Sequence, residues 1–170
     1  VSCNIVTAYY SVTFFKPLSL ELSEFNAVVL GMNKCTAAGQ FLDAYTGTVY
    51  KANGVSEHCP DIDIAVFWSG NATTSGPAFA APVAMNVASI YPEATIVTTL
   101  GGTVADIPAN WKVRNGTNFR DVNIDADTFA GISTVAEIAA LFEGGTVPAN
   151  DHVTFQKVVG KVMAFKASRY

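Results

Sequence analysis

Charge is scarce in this chain: 14% of its 170 residues are Asp, Glu, Lys or Arg, while 50% are hydrophobic. A disordered segment has the opposite balance, so the composition excludes disorder and demands a sizeable core. The net charge is −4 and the basic residues are scattered singly. That distribution excludes an electrostatic footprint for nucleic acid. Lys157, Lys161 and Lys166 form the sole basic concentration and read as a solvated face. No uninterrupted apolar run approaches the roughly 18 residues of a spanning helix, so no membrane span is expected.

Histidine is limited to His58 and His152. His58 adjoins Cys59, with Asp61 and Asp63 close behind, but no second cluster completes a zinc pattern, so no metal is expected. A Cys-His nucleophile pair requires Cys59 to be a free thiol and a distant histidine to reach it. Gly101-Gly102 lacks the Lys-Ser/Thr of a phosphate loop. Repeats and low-complexity linkers are missing, so residues 1–170 are expected to form one domain.

Cysteine is limited to Cys3, Cys35 and Cys59, all in the first third. Asn71-Ala72-Thr73 and Asn115-Gly116-Thr117 fit the N-glycosylation pattern. Together with a first residue that is Val1, they point to a secreted chain carrying one disulfide and one odd thiol; three buried thiols in a cytoplasmic protein are the alternative. Cys35–Cys59 is the preferred pair, because the two flank one loop-rich segment. Asn115 is the preferred glycan site, since sugar at Asn71 crowds Trp68.

Residues 1–15 are rich in β-branched and aromatic residues and read as extended. Leu18, Leu22, Phe25, Val28 and Val29 recur at helical spacing after Pro17, which predicts a helix ending at Gly31 or in the Asn33 region. Residues 36–60 are turn-rich, with a short hairpin arm over Tyr45–Tyr50. Ile62–Trp68 reads as a buried strand, Gly76–Ile90 as a helix and Ala94–Thr98 as a second buried strand. Asp125–Phe142 carries an apolar stripe closed by Gly144-Gly145 and reads as one helix. Val153–Phe165 mixes strand and helix features. The expectation is therefore an α/β fold. A helical or irregular part over 1–60 precedes a small, mostly parallel sheet flanked by helices over 61–170.

If the sheet is parallel, Trp68-Ser69-Gly70 sits at a strand's carboxyl end, where such folds bind ligands. A core tryptophan finishing a strand is the plainer alternative. Three further stretches extend the pattern: Thr95-Ile96-Val97-Thr98-Thr99, then Trp111, then Val135-Ala136-Glu137-Ile138-Ala139. Together with Phe67-Trp68-Ser69 they resemble the ADP-ribosyl cyclase/NAD glycohydrolase family, including related toxin domains. The likeness covers about residues 60–147. It implies a secreted NAD-cleaving enzyme, a toxin or effector, with NAD as substrate and no separate cofactor. Its partners would be a small nucleotide substrate and a host or target-cell protein. Glu137 would stabilise the oxocarbenium-like ribosyl cation, while Trp68, Ser69, Trp111 and Thr99 would bind substrate. Glu137 also reads as an ordinary solvated residue on a good helix. Val97 departs from the family pattern, which has a glutamate at that position. That departure favours the alternative, a non-catalytic secreted binding or structural protein.

Overall fold

The computed structural model describes residues 3, 5–16, 19–70, 76–84, 87–150, 152–155 and 162–169. Two long strands, β1 (Ile5–Lys16) and β2 (Ser19–Gly31), pair as an antiparallel ribbon. Next come β3 (Phe41–Leu42), β4 (Val49–Tyr50), β5 (Ile64–Ser69) and β6 (Gly76–Ala80). A short helix α1 (Val87–Ile90) is followed by irregular turns and by β7 (Thr117–Asp121). Helices α2 (Ala126–Ala130) and α3 (Val135–Gly144) precede β8 (Val153–Phe155) and β9 (Met163–Ala167).

The central sheet has the order β4-β3-β5-β6-β8, and every neighbouring pair in it is antiparallel. β7 and β9 form a second antiparallel ribbon. The mostly parallel sheet expected from the sequence is thus absent among the described residues. The cause lies in how β5 is buried. Ala65 and Phe67 enter one core with Phe41, Ala78 and Ala80, while Ile64 and Val66 enter another with Leu42 and Phe79. A strand covered on both faces reads as a continuous apolar run whatever its direction. The run reports burial and carries no information on polarity.

Each face has its own cover. The first core is closed by Val55, Cys59 and Ile62, by Tyr91 and Ile96, and by Ile107 and Trp111. These come from turns and short helices, so this layer is largely irregular. The second core is closed by Phe119 of β7 and by Leu30 and Met32 at the end of β2, with Val28, Met163 and Phe165 partly buried beside them. The β7–β9 ribbon and the base of the β1–β2 ribbon therefore lie over this face.

Three other sequence expectations are corrected. The helix expected after Pro17 is strand β2, in which Leu22 pairs with Thr13 and Phe25 with Tyr10. Residues spaced at three and four also occur in a β-rich run, and the Val and Phe of this one suit a strand. The helix expected over Gly76–Ile90 is strand β6 followed, after a turn, by α1. The strand expected at Ala94–Thr98 is a π-helical turn over Ala94–Thr99, in which Leu100 N–H donates to Thr95 O at 2.9 Å, five residues back. Pro92 starts it, since its carbonyl accepts from both Thr95 and Ile96.

The helix expected over 125–142 divides into α2 and α3, each with its own cap. Asp125 accepts from Thr128 N–H at 2.8 Å, and Thr134 opens α3. Of the hairpin arm expected over Tyr45–Tyr50, Val49–Tyr50 is strand β4, which pairs with β3 so that Phe41 stands opposite Tyr50, and the residues before it form the turn. Its turn needs Gly47, whose φ of 73° is left-handed and whose missing Cβ leaves room for the Phe25 ring.

The disulfide joins Cys3 to Cys35, which corrects the expected Cys35–Cys59 pair. The β1–β2 register explains the choice. Ile5 stands opposite Gly31, which brings the start of β1 beside the turn after β2. In that turn Cys35 N–H donates to Met32 O at 2.8 Å. Cys59 is a buried free thiol within the turn Val55–Asp61 and packs into the first core.

Candidate functional site

Glu137 is the residue on which a catalytic reading depends, and its carboxylate is engaged at the start of its own helix. One oxygen, Oε2, accepts from Ser133 N–H at 2.9 Å, Thr134 N–H at 2.9 Å and Thr134 Oγ1 at 2.8 Å. In return Thr134 Oγ1 accepts from Glu137 N–H at 3.3 Å. This reciprocal arrangement is a capping box, which satisfies backbone donors left orphaned at a helix start. The Ser133 and Thr134 hydrogen bonds hold the exposed Glu137 carboxyl below the usual glutamate value. A group so placed stays ionised, as an electrostatic role would need, but its charge faces donors that it already satisfies.

The two tryptophans occupy opposite sides of the central sheet. Trp111 is buried in the first core, edge-on to Phe41 with ring centroids 5.3 Å apart, and its indole N–H donates to Asp106 O at 3.2 Å. Trp68 alternates along β5 with Phe67, so it shares the face of Ile64 and Val66. It lies beyond their cover, with 42% of its surface exposed. Asn33 fixes the strand end there by accepting from Trp68 N–H at 3.1 Å. The indoles cannot form two walls of one cleft.

Ser69 is buried at the end of β5, on the face of Phe67 rather than of Trp68. Thr99 closes the π-helical turn, and its Oγ1 donates back to Ala94 O at 3.2 Å. Val97 lies in the same turn, partly buried against the first core. A glutamate at that position would press its charge against apolar side chains, at a cost in stability.

Asn115 is buried, and its side-chain nitrogen donates to both Pro60 O and Ile62 O at 2.8 Å. That nitrogen is the atom to which an N-glycan would be attached. A sugar there would have to break one of these bonds and open the packing between the 55–61 turn and β7. Asn71 lies outside the described residues.

Two polar constellations escaped sequence reasoning. Asp106 is buried, and its two oxygens take four donors. Oδ1 accepts from Ser56 N–H at 3.0 Å and Ser56 Oγ at 2.8 Å. Oδ2 accepts from Thr103 N–H at 2.8 Å and Thr103 Oγ1 at 2.9 Å. Burial works to raise this carboxyl, but the Ser56 and Thr103 hydrogen bonds outweigh it and draw it down to about 2. Thr103-Val104-Ala105-Asp106 carries the local signal of a capped turn, although Ser56 lies 50 residues away.

The second constellation gathers Asp43, Asp61 and Asp63 around Arg169. Asp61 and Asp63 look like metal ligands in the sequence, but an arginine faces them. No group of three or more His, Cys, Asp or Glu among the described residues has the arrangement of a metal site. Searches of protein-family models, curated proteins and solved structures found no match to this chain.

Proposed function

We propose that this chain is a non-catalytic, secreted binding or structural module. The observation that carries the reading is the capping box of α3, which gives Glu137 a complete structural role. The buried carboxylates follow the same pattern: Asp106 accepts from Ser56 and Thr103, while Asp43 and Asp63 hold Arg169. Carboxylates already engaged by donors or a cation are poor candidates for a general base or a nucleophile. The Cys3–Cys35 disulfide supports an oxidising compartment, where such bonds persist. Among the described residues no helix is long and apolar enough to cross a membrane. Trp68 is the side chain best suited to meet a protein partner, being large, half-exposed and set at a rigid strand end.

Incubation of the wild-type protein with NAD and with its fluorescent etheno analogue separates this reading from glycosidic cleavage. The expected result is nicotinamide at the level of the buffer blank and no rise in etheno fluorescence. Nicotinamide release by the wild type that disappears in Glu137→Gln would overturn the reading and restore Glu137 as a catalytic carboxylate.

A further inference from the structure

The Arg169 constellation has the construction of a ligand site. Arg169 follows β9, and the residue before it is anchored where Ser168 Oγ accepts from Gly116 N–H at 2.9 Å. Its guanidinium meets Asp63 through two parallel bonds, Nε to Oδ1 at 2.7 Å and Nη2 to Oδ2 at 2.6 Å. Nη2 also donates to Asp43 Oδ1 in a very short contact, and Nη1 reaches Asp61 Oδ1 at 3.5 Å. The side chains of Asp63 and Asp43 are 0% and 6% exposed, against 48% for Asp61 at the rim. A planar fork gripping two buried carboxylates is a geometry that arginine supports and a point charge does not.

Both buried carboxylates are oriented without help from the arginine. Asp63 Oδ2 accepts from Ala44 N–H at 3.0 Å. Asp43 Oδ1 accepts from Tyr45 N–H at 2.9 Å, and its Oδ2 accepts from Thr46 Oγ1 at 2.8 Å. The β3–β4 turn and the start of β5 thus hold the acceptors in place, and the ligand arrives from a segment 106 residues further along the chain. Acceptors fixed by one part of the fold and a guanidinium delivered by another constitute a preorganised receptor with its occupant.

We propose that Asp43 and Asp63, with Asp61 at the rim, form a guanidinium-binding site that Arg169 fills as an intramolecular ligand, and that the emptied site takes a free alkylguanidinium. The test is thermal unfolding of the full chain carrying Arg169→Ala, titrated with ethylguanidinium or with ethylammonium at matched millimolar concentration. Removing the cation strands two buried carboxylates, so Tm is expected to fall by about 10 °C. Ethylguanidinium should recover part of that loss along a saturating curve, ethylammonium should not, and Arg169→Ala/Asp63→Asn should respond to neither. Where Arg169→Ala does not fold unaided, the titration reads regain of circular dichroism, and Arg169→Gln gives the thermal readout with a smaller perturbation. The proposal is overturned by no response to ethylguanidinium, by equal recovery with ethylammonium, or by recovery that survives Asp63→Asn.

Discussion

Phe41→Ala is expected to lower the unfolding free energy by about 4 kcal/mol, enough to remove a large share of the stability of an ordinary domain. Phe41 is fully buried, with ring centroids 5.1 Å from Tyr91 and 5.3 Å from Trp111. It pairs across the sheet with Tyr50 on one side and Ala65 on the other. Its near neighbours on the sheet face are Ala65, Ala78 and Ala80, too small to move into the vacated space. Strand β3 is two residues long, so one side chain carries half of its packing. Urea denaturation of the variant and the wild type measures the loss. A change below about 1 kcal/mol would mean that the first core is not centred on this ring.

Asp106→Asn is the second large effect, expected at about 3 kcal/mol near neutral pH. Asparagine keeps the shape but loses the charge, and its NH2 group faces either the Ser56 or the Thr103 donors, which leaves that backbone N–H without its acceptor at a part-buried position. The same residue sets an acid dependence. Its folded carboxyl lies at about 2, below the ordinary 3.8, so the ionised form is favoured by folding. The linked stability, about 2 kcal/mol, is fully present above the unfolded value and is lost as pH falls through the folded one. Asp63 acts with the opposite sign: burial raises its carboxyl despite the Arg169 hydrogen bonds, so protonation relieves a cost. Wild-type stability should therefore fall between about pH 4 and pH 2, and that slope should flatten in Asp106→Asn.

These residues show where local patterns were informative and where they failed. The burial of Ile64–Phe67 and the chain reversal near Tyr45–Tyr50 were legible, because apolar runs and turn residues act over a few positions. Strand direction was not legible, since a run buried on both faces looks the same in either polarity. Leu22, Phe25, Val28 and Val29 fit a helical spacing, yet the segment is strand β2, because pairing with β1 overrides that local pattern. The Ala94–Thr99 segment erred the other way, its β-branched residues being folded into a turn started by Pro92. The Cys3–Cys35 pair follows from the ribbon register, a long-range pairing that the helical spacing of this segment conceals.

At the candidate site one missed signal was local. Thr134-Val135-Ala136-Glu137 is a capping-box sequence, and reading it as such places Glu137 at the start of a helix with its carboxylate engaged. The other misses are non-local. The acidic spacing of Asp61 and Asp63 is visible in the sequence, where no metal is expected from it, but their partner Arg169 is not, being brought to them by the β7–β9 ribbon. Asn115 carries a sequon, but its burial depends on the Pro60 and Ile62 carbonyls, 55 and 53 residues away.

The central claim is that the Glu137 carboxylate caps α3 and is not held for chemistry, and its titration by carbon-detected NMR tests this most directly. The Ser133 and Thr134 donors favour the ionised form, so the midpoint should lie below the ordinary glutamate value of 4.5. It should move back towards that value in Thr134→Ala, which removes the hydroxyl donor. A midpoint that does not move in Thr134→Ala would show that the cap does not hold this carboxylate and would contradict the claim.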